Sequence, residues 1–388
     1  MSERHTIRVA LVGAGAAGQA HAFGFRNVSM AADLESVTVV LDTVVDPNLE
    51  LARRTADRYG YTNATADLRS VLDNPDIDAI SVALPNSVHA EVLPAILRSG
   101  KHVLAEKPIG RNATEAAELV ALAEESDAVT GVGFSFRRLP GLAAVHDAVA
   151  DGAIGAVRSF TAWYNADYGA DPQAPLAWRY TKEAAGAGAL IDIGTHALDT
   201  VQHVAGPIRR IVSASLHTAI TERPIPGSDE TGVVDTDDIA LLTVETEDGA
   251  IGQIHVNRIA VGIPNSLGIE VHGEKGHARF DSISAGEFHI HLDDDTAGPA
   301  ALRGPRRVFT GPAHPYFSDV AAMPGGGVGT GYAEAFVAEI QHFVRCILAN
   351  EPMDTSFPSA LRVMAAVDAA QQAAADGTAV VLAEPVSA

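Results

Sequence analysis

The stretch Ile7-Arg-Val-Ala-Leu-Val-Gly-Ala-Gly-Ala-Ala-Gly18 decides the fold. Its first half, Ile7–Val12, is a short apolar run and reads as a buried strand. Its second half, Gly13-Ala-Gly-Ala-Ala-Gly18, stands where that strand gives way to a helical pattern. In this setting each glycine has a task. Gly13 permits a tight turn, Gly15 lets the backbone approach a pyrophosphate, and Gly18 allows the helix to pack closely on the strand. The helix opening at Ala16 and Ala17 offers its first N–H groups and the positive end of its dipole to phosphates. The motif therefore points to a dinucleotide; a mere glycine-rich turn would not need the flanking strand and helix.

Working outward, further strand candidates are Val37–Val45, Ala79–Ala83, His102–Ala105 and Val129–Gly133, with helical patterns such as Ala90–Arg98 and Ala113–Glu124 between them. Apolar strands separated by helices predict a doubly wound parallel sheet, an α/β Rossmann domain over 1–135. Asp46 ends the second strand, where an aspartate accepts hydrogen bonds from the adenosine ribose and repels a 2′-phosphate. That favours NAD over NADP.

After Pro140 the rhythm changes. Ile154–Asn165, Ile208–Thr218, Ile239–Glu245, Ile251–Asn257, Leu267–His272, His277–Phe280 and Glu287–Leu292 read as strands, several joined by turns such as Glu247-Asp-Gly249. Helices recur at Ala333–Ala349 and Ser359–Ala375. The expectation for 136–388 is an α+β domain for substrate binding and oligomerisation. Its sheet is large, open and mostly antiparallel, and the C-terminal helix packs back on the first domain. The stretch from Asp293 to Gly331 is rich in Gly and Pro and reads as a long ordered loop or an interface arm.

The 388 residues, 47% of them hydrophobic, exceed one typical core. The balance of 27 basic and 49 acidic residues, net −22, disfavours nucleic acid and anionic membranes as partners. A neutral substrate fits this charge more easily than an anionic one. The single cysteine, Cys346, rules out an intrachain disulfide and fits a reducing compartment. It lies in an amphipathic pattern and reads as a packed thiol. No segment approaches the ~20 apolar residues of a membrane span, and the expected location is cytoplasmic.

The segment Gly186-Ala-Gly-Ala-Leu-Ile-Asp-Ile-Gly-Thr-His-Ala-Leu-Asp199 carries the chemistry. Asp192 and His196 stand four residues apart in a helical pattern, so one face would hold a carboxylate and an imidazole. The alternatives are that Asp192 caps its own helix, that His196 is a core histidine, and that Asp199 pairs with a neighbour. Gly186 and Gly188 read as clearance where this helix meets cofactor and substrate. Trp178 and Arg179 form either a sugar-stacking face with a hydroxyl clamp, or a core tryptophan beside a surface arginine; Arg137 and Arg138 carry the same ambiguity. His289 and His291 share a strand face, but no third ligand stands at usable spacing, so no metal is expected.

Val82-Ala-Leu-Pro-Asn86 with His89, then Ala105-Glu-Lys-Pro108, then Gly188–Asp199 resemble the three signatures of the glucose–fructose oxidoreductase/inositol dehydrogenase family. The resemblance spans essentially the whole chain. It implies that Lys107 reaches the substrate hydroxyl and the nicotinamide ribose, and that Lys107–Pro108 is cis. Asn86 and Glu106 would line the nicotinamide-ribose pocket, with Pro85 and His89 of the same signature beside the cofactor. Asp192 and His196 would hold the reacting hydroxyl, with Arg137, Trp178 and Arg179 toward the sugar. Asp171–Arg179, Phe309–Tyr316 and Gly325–Tyr332 are similar to segments of bacterial members that oxidise a pyranose at C3.

Removing the O–H proton needs a base within hydrogen-bond reach, and Lys107 or His196 would serve. The expected function is an NAD-dependent dehydrogenase acting on a secondary ring hydroxyl of a pyranose, an anhydrosugar such as levoglucosan, or a glycoside. The alternatives are an inositol or polyol dehydrogenase, a glycosidase that retains NAD and works by oxidation and elimination, and a non-enzymatic NAD-binding regulator. A homo-oligomer, dimer or tetramer, is the expected assembly.

Overall fold

The computed structural model describes residues 5–293, 304–323 and 325–382. Six strands form the first sheet: β1 (Thr6–Val12), β2 (Thr38–Val45), β3 (Asn63–Thr65), β4 (Ala79–Val82), β5 (His102–Glu106) and β6 (Thr130–Gly133). Their order is β3-β2-β1-β4-β5-β6, and every pairing is parallel. The chain direction across the sheet reverses between β1 and β4. In open α/β sheets ligands bind at that point, beyond the carboxyl ends of the strands. The glycine loop, the Leu84-Pro85-Asn86 segment and the Glu106–Pro108 segment all leave strands there.

The second sheet has nine strands. They are β7 (Val157–Ala166), β8 (Ile208–His217), β11 (Ile239–Thr246), β12 (Ile251–Asn257), β13 (Asn265–Gly273), β14 (Gly276–Asp281), β15 (Glu287–Leu292), β16 (Arg306–Phe309) and β17 (Val380–Val381). The order is β16-β15-β14-β13-β7-β12-β11-β8-β17, antiparallel except for the parallel pair β7/β12. A separate two-stranded ribbon joins β9 (Glu222–Pro224) to β10 (Thr231–Val233). Along β7 the residues Phe160, Ala162, Tyr164 and Ala166 are buried and alternate with more exposed neighbours. This period of two is that of a sheet with one face on the core. The helix Gly194–Val204 covers that face and buries Ala197, Leu198 and Val201.

The helix Tyr332–Ala349 lies against Ala16–Arg26 of the first sheet's layer. The approach is close enough that a Cβ on Gly24 would stand 2.5 Å from Ile340 and 2.9 Å from the Phe336 carbonyl. Cys346 of this helix is buried, and burial pushes its thiol up to about 11, so it is inert packing. The stretch expected to be a loop from Asp293 to Gly331 is only partly so: it contributes the edge strand β16 and a short helix, Phe317–Val320. Residues 294–303 of that stretch lie outside the described residues. No helix among the described residues is long and apolar enough to cross a membrane.

Candidate active site

The glycine loop sits as its sequence demands. Gly13 has φ +97, and a Cβ there would lie 2.1 Å from the Ala83 carbonyl oxygen. A Cβ on Gly18 would lie 1.9 Å from the Gly13 carbonyl oxygen. A Cβ on Gly15, in contrast, would meet nothing within 4 Å. The loop is thus closed by backbone contacts at its two ends and open at its middle. Gly15 begins the helix Ala16–Arg26, and no side chain caps its first turn, so those N–H groups stay available. An open cradle over an uncapped helix start fits a pyrophosphate. Asp46 follows β2, and its Oδ2 accepts from Ala14 N–H at 2.9 Å while Oδ1 accepts from Asn48 N–H at 2.8 Å. The carboxylate therefore ties the second strand to the glycine loop.

Two loops beside β4 and β5 are joined by His89. Its Nε2 accepts from Leu84 N–H at 3.3 Å, and its Nδ1–H donates to the Pro108 carbonyl at 2.7 Å. Both ring nitrogens are occupied by backbone, and burial lowers the imidazole's pKa, so a neutral His89 acts as a brace between the loops rather than as a ligand. Asn86 opens the helix Asn86–Arg98 after Pro85, and its amide donates to the Ala185 carbonyl at 3.0 Å. The Lys107–Pro108 bond is cis.

Glu106 is buried. Its Oε1 stands 3.1 Å from His21 Nε2, and its Oε2 accepts from Lys107 N–H at 3.1 Å. Burial pushes this carboxyl up, but His21, Lys107 and His89 together outweigh it and hold the group below its ordinary value. His21, which the sequence did not single out, bridges Glu106 to Ser81 Oγ at 2.6 Å.

Lys107, Asp192 and His196 come together. Lys107 Nζ donates to the Asp192 carbonyl at 2.7 Å and lies 4.0 Å from Asp192 Oδ1. Burial raises the Asp192 carboxyl, but Lys107, Arg179, Tyr168 and Arg258 overcome it, so Asp192 is an anion. His196 is buried against Phe134, Phe136 and Tyr164, with Phe136 edge-on at 5.0 Å between ring centroids. Burial first, and then the Lys107 charge, hold its pKa well below the ordinary value. His196 is therefore a neutral imidazole at neutral pH.

Several expectations need correction. Asp192 and His196 do not share one helix. A short turn, Ala189–Asp192, ends at Ile193, and a new helix begins at Gly194. Among the described residues Asp192 makes no capping bond; Asp237 takes that role, accepting from Gly188 N–H at 2.7 Å and Leu190 N–H at 2.8 Å. Gly186 and Gly188 clear protein backbone, not ligand: Cβ atoms there would lie 2.2 Å from the Arg111 carbonyl oxygen and 1.9 Å from that of Asp237. Arg137 is not available to a substrate. It is buried in a two-pronged pair with Asp199, at 2.8 and 2.5 Å, because a buried guanidinium needs its charge matched. Arg138 is likewise paired with Asp354. Trp178 is half-buried and stacks with Arg179, whose guanidinium lies 4.3 Å from the ring centroid and whose Nε donates to Asp192 Oδ2 at 3.1 Å. Among the described residues no three His, Cys, Asp or Glu side chains are grouped to hold a metal ion.

Residues 7–134 match the model of an oxidoreductase family with an NAD-binding Rossmann fold, and residues 142–279 match the GFO/IDH/MocA C-terminal domain. Levoglucosan dehydrogenase of Pseudarthrobacter phenanthrenivorans is 34% identical over 95% of this chain and 96% of its own. The chain belongs to the GFO/IDH/MocA family. As a member it is an oxidoreductase, and its cofactor is NAD. Within the family, inositol 2-dehydrogenase of Rhizobium meliloti is 27% identical over 96% of this chain and 98% of its own. The solved structure of a levoglucosan dehydrogenase in complex with NADH and levoglucosan superposes with a TM-score of 0.92, at 34% identity, covering 98% of this chain and all of that one.

Proposed function

We propose that this protein oxidises a secondary ring hydroxyl of a neutral sugar, with levoglucosan and related pyranoses as the first candidates and C3 as the carbon. One observation carries the reading: a lysine, an ionised aspartate and a neutral histidine converge beside the strand ends where the glycine loop stands. The loop of Gly13, Gly15 and Gly18 would hold NAD, which would supply the acceptor for a hydride from the carbinol carbon. Lys107 Nζ and Asp192 Oδ1, 4.0 Å apart, hold the hydroxyl between them. The neutral His196 is able to take the hydroxyl proton, and Lys107 beside it disfavours keeping it there. Glu106, braced by His21, fixes the Lys107 backbone. His89 fixes the cis-Pro108 loop to the Leu84 loop.

The likeness to levoglucosan dehydrogenase over nearly the whole chain supports a sugar over other alcohols. The test is NADH formation across a panel of anhydrosugars, pyranoses, glycosides and inositols, with product analysis for the oxidised carbon. Levoglucosan oxidised at C3 is expected; turnover confined to inositols would replace the reading.

We further propose a division at residues 135 and 136, a cytoplasmic location, and a homo-oligomer formed through the open face of the nine-stranded sheet. Leu241 and Ile251 are 50% and 49% exposed on adjacent strands there, an apolar area that a partner would cover.

A further inference from the structure

The two oxygens of the Asp192 carboxylate have different surroundings. Oδ2 accepts from the Tyr168 hydroxyl at 2.6 Å and from Arg179 Nε at 3.1 Å. Among the described residues Oδ1 accepts no hydrogen bond, and its ion-pair contact is Lys107 Nζ at 4.0 Å. A hydroxyl set between Oδ1 and Nζ would donate to the one and accept from the other. The same hydroxyl at Oδ2 would compete with two donors already in place.

Tyr168 lies two residues beyond the end of β7, and the residue is partly open to solvent. The hydroxyl end nevertheless turns inward to the carboxylate. Burial of that end, and then the Asp192 charge, push the phenol well above its ordinary pKa, so it donates throughout the working range. Arg179 alone is a weaker hold. Its side chain is 43% exposed, and its guanidinium also stacks on Trp178. An exposed ion pair is screened by water, whereas a short hydroxyl-to-carboxylate bond is charge-assisted and directional.

We propose that Tyr168 is a positioning residue that occupies Asp192 Oδ2 and so reserves Oδ1 for the reacting hydroxyl. The inference rests on the sugar-dehydrogenase reading above. It also narrows the substrate. The group that enters must be a neutral donor, because a carboxylate on the substrate would face an Asp192 anion whose free oxygen can only accept. Tyr168 acts through Asp192 and touches neither the carbinol carbon nor the proton in transit.

The consequence is a dependence on pH. The charged and titratable groups facing Asp192 are Lys107, Arg179, Tyr168 and Arg258, with Tyr164 close enough to feel its charge. Of these, Tyr168 contributes a hydrogen bond that lowers the carboxyl's pKa. Its removal raises that pKa, so the ionised form is lost at a higher pH as the solution is acidified.

The test compares the wild type with Tyr168→Phe, a change that removes one oxygen and keeps the ring. NADH binding, followed by fluorescence, is expected to be unchanged. The acid limb of kcat/KM against pH should move to higher pH, with a loss of roughly tenfold, the scale of one hydrogen bond to a charged group. Levoglucosan binding to the enzyme–NADH complex is then measured by calorimetry in four proteins: wild type, Tyr168→Phe, Asp192→Asn and the double variant. If Tyr168 works through Asp192, its removal weakens binding in the wild-type background and has no added effect in Asp192→Asn. An equal loss in both backgrounds, an unmoved acid limb, or a loss of NADH binding would overturn the proposal. The two readings fail differently. A wild type that forms no NADH from any sugar removes the sugar-dehydrogenase reading. An active wild type with an indifferent Tyr168→Phe removes only this one.

Discussion

Gly15→Ala separates cofactor binding from folding at a single methyl group. The residue has φ −67 and ψ −170, values that alanine adopts without strain. The added Cβ would meet no protein atom within 4 Å. Stability should therefore change by no more than about 0.5 kcal/mol, as for an ordinary surface substitution. The methyl would occupy open space beside the uncapped helix start, where a pyrophosphate would approach. Crowding a close contact by one methyl costs about 1–3 kcal/mol. At 1.4 kcal/mol per factor of ten, that weakens NADH binding roughly 5- to 150-fold. Gly18→Ala is the control. Its Cβ would stand 1.9 Å from the Gly13 carbonyl oxygen, so the same methyl collides with the protein itself. That variant should lose stability as well as affinity. Thermal melts of the apo-proteins and NADH fluorescence titrations supply both numbers. Wild-type NADH affinity in Gly15→Ala would refute the placement of the phosphates, and a fall in melting temperature matching Gly18→Ala would refute the cradle.

Three other outcomes are expected. Lys107→Ala should lose nearly all turnover while NADH still binds; unchanged activity would remove Lys107 from the chemistry. Asp46 should give higher initial rates with NAD than with NADP, and comparable turnover with both would take it away from the ribose. Glu339 is fully buried, neither carboxylate oxygen has a hydrogen-bond partner among the described residues, and burial, followed by the charge of Glu106, raises its pKa well above the ordinary value. A carboxyl raised in the folded state supports folding below its unfolded pKa of about 4.5 and loses that support as pH rises through the folded value. Glu339→Met should then stabilise the protein by about 1–3 kcal/mol at neutral pH and flatten the fall on the alkaline side. A lower melting temperature at pH 8 would contradict this.

The parallel sheet is legible because its strands are short apolar runs and its glycine motif fixes where the first one ends. The strand β3, Asn63–Thr65, carries no such run; it exists because β2 offers it a free edge. The same holds for β17, a two-residue pairing on β8. In the site, the residue types are legible and their partners are not. Asp199 reads in the sequence as pairing with a neighbour, but its partner is Arg137, 62 positions away. Gly186 and Gly188 have the spacing of a ligand approach, yet the atoms that exclude a side chain are carbonyls of Arg111 and Asp237. Tyr168 and His21 act on Asp192 and Glu106 across 24 and 85 residues, and no local motif announces either. Long-range partners are set by how the two sheets meet, which a periodic pattern does not encode.

In this account a hydride leaves C3 of a sugar held at Lys107, Asp192 and His196 and reaches the cofactor in the cradle of Gly13, Gly15 and Gly18. Levoglucosan carrying deuterium at C3 tests it most directly. Incubated with this protein and NAD, it should yield NADH bearing one deuterium at C4 of the nicotinamide and a 3-keto product without the label. NADH that carries no deuterium, with the label still on the sugar, would contradict the account.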